Sequence, residues 1–512
     1  MDDLRGTVGR ALSAETRETF DQRVAEQAAD LRGLIDGGAF DSSGFAVGLE
    51  CELYAVGGDG HLATVPDALY DADGRTREIG LHNIELNSTP QPFDADGIAA
   101  HAEEFATAVA DLRAATDDET QIVADGMWTI PPDGGTADYF GTVDRTDDIT
   151  VAANMYPKAR YCAIDNTLLA NAGGSIPLSV PGTDHEFPTI LVESLTTSIQ
   201  PHLQIPSTEQ FPRFFNAAIR TMGPVLALAT NSPFLPGDLY NAVDDPEGLI
   251  ERTPHELRIP VFEETVNSAG YAKAGCPEDI DAPTDIVDRV VDDWTCGPFL
   301  REWEGDDGDP HWEFRHKYGT YWRWVRSIIG GDASERVGNT APDAATTDGA
   351  LRIEYRPLPT QPTPGDILGL HWLVVGLLRG IAAADHPLTE LAWADARESF
   401  YNAVDDGLDA ELHWVTADGE YTTDHDVLYG EVFDLAERGL REQGLSEDEA
   451  AERIDPIRAR WQRGTTPSRW KKARVREAMA DGGSLADAIA SMQREYYESS
   501  RSGEPFAEWD GR

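Results

Sequence analysis

The sequence predicts an α+β protein, in which a mainly antiparallel sheet is packed with helices and followed by a helical C-terminal extension. Two observations support this class. Strand-like patterns occur up to residue 358, whereas the chain after Pro364 has an almost entirely helical pattern, apart from a hairpin at Glu411–Thr422. The strands also do not alternate strictly with helices, which argues against a parallel βαβ sheet. The hydrophobic share of 41% is typical of a globular protein.

The spacing of apolar residues predicts the individual elements. Segments with the period of an amphipathic helix are Leu12–Leu34, Ile98–Ala115 and Phe211–Thr230. Segments that alternate as strands do are Phe45–Val56, Ile84–Thr89, Thr197–Ile205 and Leu351–Leu358. The stretch Pro236–Ala282 is predicted to be irregular and rich in loops. The chain is expected to divide into a main unit over residues 1–430 and a charged helical extension over 431–512.

The segment Asp366–Ala384 is the most apolar helix of the sequence. It contains His371 and Arg379 and is short for a membrane span, so we predict a buried core helix. The N-terminal residues MDDLRGTVGR contain no apolar signal region. The four cysteines form no C-x-x-C pair and have neither a disulfide-framework nor a zinc-site spacing. We therefore expect a cytoplasmic protein.

The charge of the chain is extreme. It has 41 basic and 92 acidic residues, a formal net charge of −51, and the acidic residues are spread along the sequence. Such a surface repels nucleic acid and anionic membranes, so neither is an expected partner. Only five residues are lysine. A lysine-poor surface covered with carboxylates suits very high salt, where screening suppresses self-repulsion, and we infer a halophilic source.

Four predicted strands share one design, because residues i and i+2 of a strand lie on the same face. In Phe45–Val56 one face is wholly apolar and the other carries Gly48, Glu50, Glu52 and Tyr54. In the remaining three strands the polar faces carry Glu85, Asn87 and Thr89; His202 and Gln204; and Arg352, Glu354 and Arg356. If the strands belong to one sheet, one of its faces gathers four carboxylates, a histidine and two arginines.

This face has a chemical interpretation. Four carboxylates on one surface repel each other unless cations lie between them, and oxygen-rich sites with one imidazole suit Mg²⁺ or Mn²⁺. Arginine forks match a pair of phosphate oxygens. Carboxylates, divalent cations and arginines together are the equipment of phosphoryl transfer from a nucleotide.

Each strand alone also has a plainer explanation. Glu-x-Glu on an amphipathic strand is usually a solvated face, Arg-x-Glu-x-Arg is usually a ladder of salt bridges, and a lone histidine is more often structural than a ligand. The sequence has no G-x-x-x-x-G-K-[ST] loop, no G-x-G-x-x-G after a strand, no H-E-x-x-H and no G-x-S-x-G. Cys51 lies on the apolar face and is expected to be inert packing.

The strands also carry the motifs of a known family. The chain resembles the glutamate–cysteine ligase family, in the carboxylate–amine ligase branch of bacteria and archaea, and within it the halophilic archaeal type. The resemblance covers roughly residues 45–360, with weaker similarity to about residue 465. Its motifs are Gly48-Leu-Glu-Cys-Glu52, Ile84-Glu-Leu-Asn-Ser-Thr-Pro90, His202-Leu-Gln-Ile-Pro206, Ala227-Leu-Ala-Thr-Asn-Ser-Pro-Phe234 and Arg352-Ile-Glu-Tyr-Arg356.

The resemblance implies that residues 1–430 form a catalytic domain that uses ATP and Mg²⁺ (Mn²⁺ as the alternative) to join a carboxylate to an amine through an acyl phosphate. The implied metal ligands are Glu50, Glu52, Glu85, His202 and Glu354. The implied catalytic residues are Glu50, Glu52, Glu354 and Arg356. The implied nucleotide-binding residues are Arg356, which would contact the γ-phosphate, Arg352 and Gln204. The partners are then small molecules, namely ATP and amino acids, and the sequence favours no particular oligomeric state.

The sequence departs from the family at some positions. Gln204 replaces the second histidine of the family's His-Val-His-Val-Gly strand, and Pro206 replaces its glycine. The segment after Pro233 lacks the usual arginine-rich pattern, although Arg252 and Arg258 lie nearby. The leading hypothesis is the formation of γ-glutamylcysteine from glutamate and cysteine. The alternatives are a ligase for another carboxylate or amine, a phosphotransferase that stops at the phosphorylated product, and a non-catalytic relative that binds a nucleotide or amino acid.

Overall fold

A computed structural model describes residues 2–116, 120–303, 309–331 and 349–509 of the chain. It contains both helices and an extended antiparallel sheet, which confirms the α+β class and the helical C-terminal region. The helices are α1 (Asp2–Ala11), α2 (Ala14–Asp36), α3 (Ala95–Ala114), α4 (Thr136–Gly141), α5 (Ala159–Asn171), α6 (Phe211–Ala229), α7 (Pro246–Arg252), α8 (Arg258–Val266), α9 (Asp285–Asp292), α10 (Trp312–Tyr318), α11 (Pro364–Ala384), α12 (Trp393–Asp406), α13 (His425–Arg441), α14 (Glu447–Arg463), α15 (Pro467–Ala480) and α16 (Leu485–Ser500).

Within the described residues, the strands form one large sheet and three hairpins. They are β1 (Ala46–Gly57), β2 (Arg75–Arg77), β3 (Asn83–Asn87), β4 (Gln91–Pro92), β5 (Thr120–Val123), β6 (Val143–Thr146), β7 (Ile149–Ala152), β8 (Ile176–Val180), β9 (Thr183–Phe187), β10 (Ser198–Ile205), β11 (Val325–Gly331), β12 (Gly349–Tyr355), β13 (Leu358–Pro359), β14 (Trp414–Val415) and β15 (Tyr421–Thr422). The large sheet has the order β11-β12-β10-β1-β3-β2; β4 and β5 also pair with β1, and β13 pairs with β10. The four strands predicted to carry chemistry are therefore neighbours in one sheet.

The sheet has one apolar and one polar face. Val47, Leu49, Cys51 and Leu53 of β1 are buried in the main core. Helices α6 and α11 pack against the strands β10–β12 and contribute to the same core. Because strand side chains alternate, burial of this face turns the charged residues of β1, β3, β10 and β12 to the opposite face.

The stretch Pro236–Ala282, predicted to be irregular, contains the two short helices α7 and α8. Its prolines do not interrupt them. Pro246 is the first residue of α7, where the missing N–H costs no hydrogen bond, and the Asp245 side chain caps that helix by accepting from Gly248 N at 3.0 Å. Pro260 lies in the first turn of α8. The prolines and loop-like composition led to a prediction of irregular structure. Two helices form there nevertheless, because their prolines lie in the first turn, where a helix tolerates proline.

Helix α11 is long and apolar enough to cross a membrane, but 72% of its most apolar window is buried inside the protein. It packs against α13, α14 and α6. This agrees with the predicted core helix.

Buried ion pairs connect the C-terminal helices to the rest of the protein. Arg460 of α14 donates to Asp366 of α11 at 2.7 Å, and both side chains are fully buried. Lys471 of α15 donates to Asp125 at 2.5 Å, and this pair is also buried. The predicted division after residue 430 stays a prediction, and that residue lies within α13.

The lysines are distributed unusually. All five lie in the described part of the chain, and four of them, Lys273, Lys317, Lys471 and Lys472, are buried, with their ammonium groups bonded to carboxylates or backbone carbonyls. Only Lys158 is exposed. The surface is therefore even poorer in lysine than the composition indicates.

The buried pair between Arg460 and Asp366 provides a stability test. Arg460→Met is expected to lower the free energy of unfolding by about 3–5 kcal/mol, because Asp366 would remain buried without its cation. The control is Arg463→Met, which removes an arginine whose pair with Glu508 is 46% and 54% exposed. That control is expected to cost about 1 kcal/mol or less. Urea unfolding in high salt measures both, and equal losses would contradict the assigned importance of the buried pair.

Candidate active site

The polar face of the sheet consists of rows of residues that face each other across paired strands. Gly48 of β1 lies opposite His202 of β10, which lies opposite Glu354 of β12, which lies opposite Arg326 of β11. In adjacent rows, Glu50 lies opposite Gln200 and Asn87, Glu52 lies opposite Glu85, and Gln204 lies opposite Arg352. The antiparallel register thus gathers every predicted site residue of these strands on one surface.

Glu50, His202 and Glu354 form the centre of this surface. One ligand atom of each lies within 4.8 Å of the other two. His202 Nε2 lies 3.2 Å from Glu50 Oε1 and 3.8 Å from Glu354 Oε1. Neither contact has hydrogen-bond geometry, so this buried nitrogen has no hydrogen-bond partner among the described residues. Glu50 is the most accessible of the three, with 25% of its side chain exposed.

Glu354 is held between two arginines. Arg326 donates from Nη2 to Glu354 Oε1 at 3.0 Å and also bonds Oε2, and Arg356 donates from Nη1 to Oε2 at 3.1 Å. Burial alone would raise the pKa of Glu354, but the charges of Arg326 and Arg356 lower it far below its ordinary value. The carboxylate is therefore ionised although its side chain is only 1% exposed.

Gln200 connects the second carboxylate of β1 to Arg356. Its Nε2 donates to Glu52 Oε1 at 3.1 Å, and its Oε1 accepts from Arg356 Nη1. The backbone N–H of Ser198 donates to Glu52 Oε2 at 2.7 Å. Burial raises the pKa of Glu52, and the charge of Arg356 acts in the opposite direction. Continuing the alternation of β10 back from His202 would have identified Gln200 from the sequence.

Two further glutamates, Glu78 and Glu193, join Glu52 and Glu85 in an acidic cluster. Burial and the charge of Glu50 together raise the pKa of Glu85 to about 7, and burial and the charge of Glu52 together raise that of Glu193 to about 8. Burial also raises the pKa of Glu78, with Glu85 and Glu52 adding to the shift. This side of the site thus has more carboxylates than nearby cations.

The residues present fit divalent cations. Clustered carboxylates with raised pKa values need either protons or cations between them, and carboxylate oxygens with one imidazole nitrogen form a donor set for Mg²⁺ or Mn²⁺. The unpartnered His202 Nε2 supplies that imidazole nitrogen. Glu50, His202 and Glu354 are the geometrically compact group, and Glu52 and Glu85 continue it along the sheet.

The other predicted nucleotide-binding residues lie at the Gly48 end of this surface. Arg352 Nε is buried and has no hydrogen-bond partner among the described residues. Gln204 donates to Ser42 Oγ and to the Gly44 carbonyl, both at 3.3 Å, so its amide bonds the loop that precedes β1. A methyl group added at Gly48 would approach His202 Cβ at 3.7 Å, an ordinary contact, so packing between the strands does not require this glycine.

A pocket adjoins the acidic cluster. Its lining includes Glu52, Glu193, Arg258, Phe262, Trp324 and Arg356. Arg258 and Phe262 belong to α8, so part of the stretch that was predicted to be irregular lines the site. Arg252 instead ends α7 with 66% of its side chain exposed.

Comparison with known protein families assigns the chain. The family model described as glutamate-cysteine ligase family 2 matches residues 46–498, from the start of β1 into α16. The chain belongs to this family. Membership supports an ATP-dependent carboxylate–amine ligase, and the match extends the resemblance seen in the sequence through the C-terminal helices.

Solved structures that align with most of this chain include three ligases. Glutamate–cysteine ligase from Francisella tularensis, in complex with AMP, is 13% identical with a TM-score of 0.48, and the alignment covers 90% of each chain. A bifunctional glutathione synthetase from Pasteurella multocida is 16% identical with a TM-score of 0.48, over 89% of this chain and 52% of that chain. The complex of the prokaryotic ubiquitin-like protein Pup with its ligase PafA gives 12% identity and a TM-score of 0.34, over 89% of this chain and 74% of that chain. A comparison with curated protein sequences found no match.

In this member of glutamate-cysteine ligase family 2, most of the site residues that the sequence did not predict lie outside the four predicted strands. Glu78 follows the short strand β2, and Glu193 lies in the 3₁₀ turn Ile190–Leu195. Arg326 lies on β11, for which no strand was predicted, and Arg258 begins α8. No local signal marks either glutamate in a sequence with 92 acidic residues.

When no metal is bound, the acidic cluster is expected to make the stability of the folded protein depend on pH. A carboxyl whose pKa rises on folding, from 4.5 to about 7 for Glu85, favours the folded state below pH 4.5 and loses that contribution as the pH rises through 7. Glu85→Gln, which resembles the protonated form, should therefore become progressively more stable than the natural protein across this window.

Thermal unfolding between pH 5 and pH 8, in high salt with a chelator, measures this difference. The control is the exposed Glu103→Gln of α3, which makes the same change in net charge. If the melting temperatures of the natural protein and of Glu85→Gln change with pH in the same way, the described crowding of carboxylates is contradicted.

Proposed function

We propose that this protein is an ATP- and Mg²⁺-dependent ligase that joins the γ-carboxylate of glutamate to the amine of cysteine, giving γ-glutamylcysteine. The observation that carries the proposal is the compact group of Glu50, His202 and Glu354, backed by arginines and continued by Glu52 and Glu85 on one face of the sheet. Family membership supports the same chemistry. Mn²⁺ is the alternative cation.

The residues of the site would have different roles in phosphoryl transfer. Glu50, Glu52, Glu85, His202 and Glu354 would hold the divalent cations. When bound, Mg²⁺ would neutralise negative charge on the phosphate oxygens. Arg356 has nitrogens beyond the Nη1 that bonds Glu354 and Gln200, and these would contact the γ-phosphate. Arg352 would contact phosphate oxygens near Gly48, and Gln204 would support it from the opposite position on β10.

The reaction then proceeds in two steps. A carboxylate oxygen of glutamate attacks the γ-phosphorus of ATP, the bond to the bridging oxygen breaks, and ADP leaves with that electron pair. The amine of cysteine then attacks the acyl carbon, loses a proton, and expels inorganic phosphate. Charge-assisted bonds from Arg356 and Arg352 stabilise the transferring group, which is the main contribution that such a site makes.

We also propose a cellular setting. The net charge of −51 and the single exposed lysine support a salt-adapted protein from a halophile, of the archaeal type in this family. A cytoplasmic location, without nucleic-acid or membrane partners, is consistent with the acidic surface and with substrates that are small molecules.

The first prediction from this proposal concerns Glu50. Glu50→Gln is expected to lower ATP-dependent turnover by at least about a hundredfold, because the amide removes one anionic cation ligand. Glu50 suits this test because it is the most accessible of the three central residues, whereas Glu354→Gln would leave two arginines without their buried partner. Circular dichroism in high salt should show an unchanged fold, and unaltered turnover would remove the central support for the cation site.

The reaction itself is tested by ADP release in high potassium chloride with Mg²⁺ and ATP. Release that requires glutamate and cysteine together, with γ-glutamylcysteine identified by mass spectrometry, would confirm the proposal. Release with glutamate alone would indicate the phosphotransferase alternative. No release with this pair would contradict these substrates, and other carboxylates and amines would then be tested.

The second prediction concerns salt. Dilution from multimolar potassium chloride into dilute buffer is expected to unfold the protein, because the repulsion among surface carboxylates is then unscreened. Tryptophan fluorescence and light scattering as a function of salt measure the transition. A native spectrum retained at low salt would contradict the halophilic assignment.

A further inference from the structure

Gln200 lies on the polar face of the sheet between a proposed cation ligand and the arginine proposed to bind phosphate. It is on β10 opposite Glu50, and only 2% of its surface is exposed. Its Nε2 donates to Glu52 Oε1 at 3.1 Å, and its Oε1 accepts from Arg356 Nη1. One neutral carboxamide therefore separates a carboxylate from a guanidinium.

The partners of this carboxamide fix its orientation. An ionised carboxylate only accepts hydrogen bonds and a guanidinium only donates them, so the amide nitrogen must face Glu52 and the amide oxygen must face Arg356. The same nitrogen also donates to Ser198 Oγ at 3.3 Å. Rotation of the amide by half a turn would bring acceptor to acceptor and donor to donor. Gln200 is thus held in one arrangement.

Glu52 and Glu354 both lie close to Arg356, but their hydrogen-bond donors differ in kind. Glu354 pairs with two guanidinium groups, those of Arg326 and Arg356. Glu52 accepts instead from two neutral groups, an amide side chain and a backbone N–H, and no described residue forms an ion pair with it. The protein therefore neutralises Glu354, whereas Glu52 still needs a cation or a proton.

Arg356 would pair with Glu52 directly if the amide did not lie between them. Burial raises the pKa of Glu52, and Arg356 is the strongest of the charges that oppose this rise. An ion pair at a poorly solvated position is strong when its geometry is good. Direct pairing would neutralise Glu52 and turn the guanidinium away from the phosphate that it is proposed to bind. The amide gives each group a hydrogen bond and cancels the charge of neither.

We propose that Gln200 is a positioning residue that keeps Arg356 from pairing with Glu52 and thereby leaves Glu52 available to a divalent cation. This inference rests on the proposed cation and phosphate site, and it adds a residue that is not among the ligands of that site. Gln200 contacts neither the cation nor the phosphate in this arrangement, and it acts through its two neighbours.

The test measures the binding of Mn²⁺ from the electron paramagnetic resonance signal of the free ion, in high potassium chloride and without substrates. Gln200→Met keeps the length of the side chain but removes both hydrogen bonds, so the Kd for Mn²⁺ is expected to rise about tenfold to a hundredfold. Gln200→Asn is the second variant. Its amide is one methylene shorter and cannot reach both neighbours, so the Kd should rise here too even if the methionine variant does not fold.

Gln493 of α16 provides a matched control. It is fully buried, its Nε2 donates to the carboxylate of Asp125 at 2.7 Å, and its Oε1 accepts from Thr129 Oγ1 at 2.8 Å. Gln493→Met therefore removes one bond to a carboxylate and one bond from a donor, as Gln200→Met does, but Asp125 is not a proposed cation ligand. The Kd of this control for Mn²⁺ should equal that of the natural protein.

A double-mutant cycle separates this role from a purely structural one. If Gln200 acts by holding Arg356 away from Glu52, its effect should disappear when Arg356 is removed. In the Arg356→Met background, Gln200→Met should therefore change the Kd for Mn²⁺ by less than about threefold. A structural role predicts the same rise in both backgrounds, and that result would overturn the inference.

These titrations use neither ATP nor amino acids, so they are independent of the proposed reaction. If the natural protein releases no ADP with glutamate and cysteine but the Mn²⁺ affinities follow the expected pattern, the inference stands and the substrates are wrong. If the natural protein releases ADP but Gln200→Met binds Mn²⁺ as tightly as the natural protein does, the inference is overturned and the proposed function stands. Absence of Mn²⁺ binding to the natural protein would overturn the inference together with the cation site.

Discussion

The site depends on the register between β1, β10 and β12. That register places Gly48, His202 and Glu354 in one row and sets Glu50 and Glu52 in the next rows of the same face. Strand side chains alternate, so a slip of one residue between these strands would turn Glu50, His202 and Glu354 into the core and Leu49, Leu203 and Ile353 out of it. The apolar face excludes that slip, because burying the charged residues without their partners would cost far more than the apolar contacts could return. The hydrophobic core thus determines which surface carries the chemistry.

Charge is divided unevenly over that surface, and the division has a consequence for ligands. On the β11 and β12 side, Arg326 and Arg356 keep Glu354 ionised. On the β3 side, Glu52, Glu78, Glu85 and Glu193 have raised pKa values because burial and mutual repulsion outweigh the nearby cations. One side therefore needs added positive charge and the other offers fixed positive charge. Cations bound together with an anionic substrate would satisfy both, and this is the combination that the proposed function requires.

The parts of the site on long strands could be predicted from sequence, and the parts on short elements could not. Glu50, Glu52, Glu85, His202 and Glu354 were found because alternation over five or more residues determines the face without knowledge of the fold. Glu78, Glu193 and Arg326 were missed because a three-residue strand, a 3₁₀ turn and an unpredicted strand give no such pattern. Arg258 was noted only as a nearby arginine, and its burial depends on Glu256 and on the carbonyl of Pro357, almost a hundred residues away in sequence. Gln204 lies on the predicted face and its amide bonds Ser42 in the loop before β1, and its role in nucleotide binding stays a prediction.

Surface charge and interior charge obey different physical constraints in this protein. Salt screens exposed carboxylates over a Debye length of about 3 Å at 1 M, so concentrated salt relieves the repulsion that a net charge of −51 creates. Buried pairs such as Lys471 with Asp125 and Arg460 with Asp366 are shielded from ions, so the same salt weakens them much less. This difference accounts for the placement of lysine, which is nearly absent from the surface but retained in the interior, where each ammonium bonds a specific oxygen. The contacts of Arg258 with Glu256 and the Pro357 carbonyl are also of the buried kind, so salt affects them much less than it affects the surface charges.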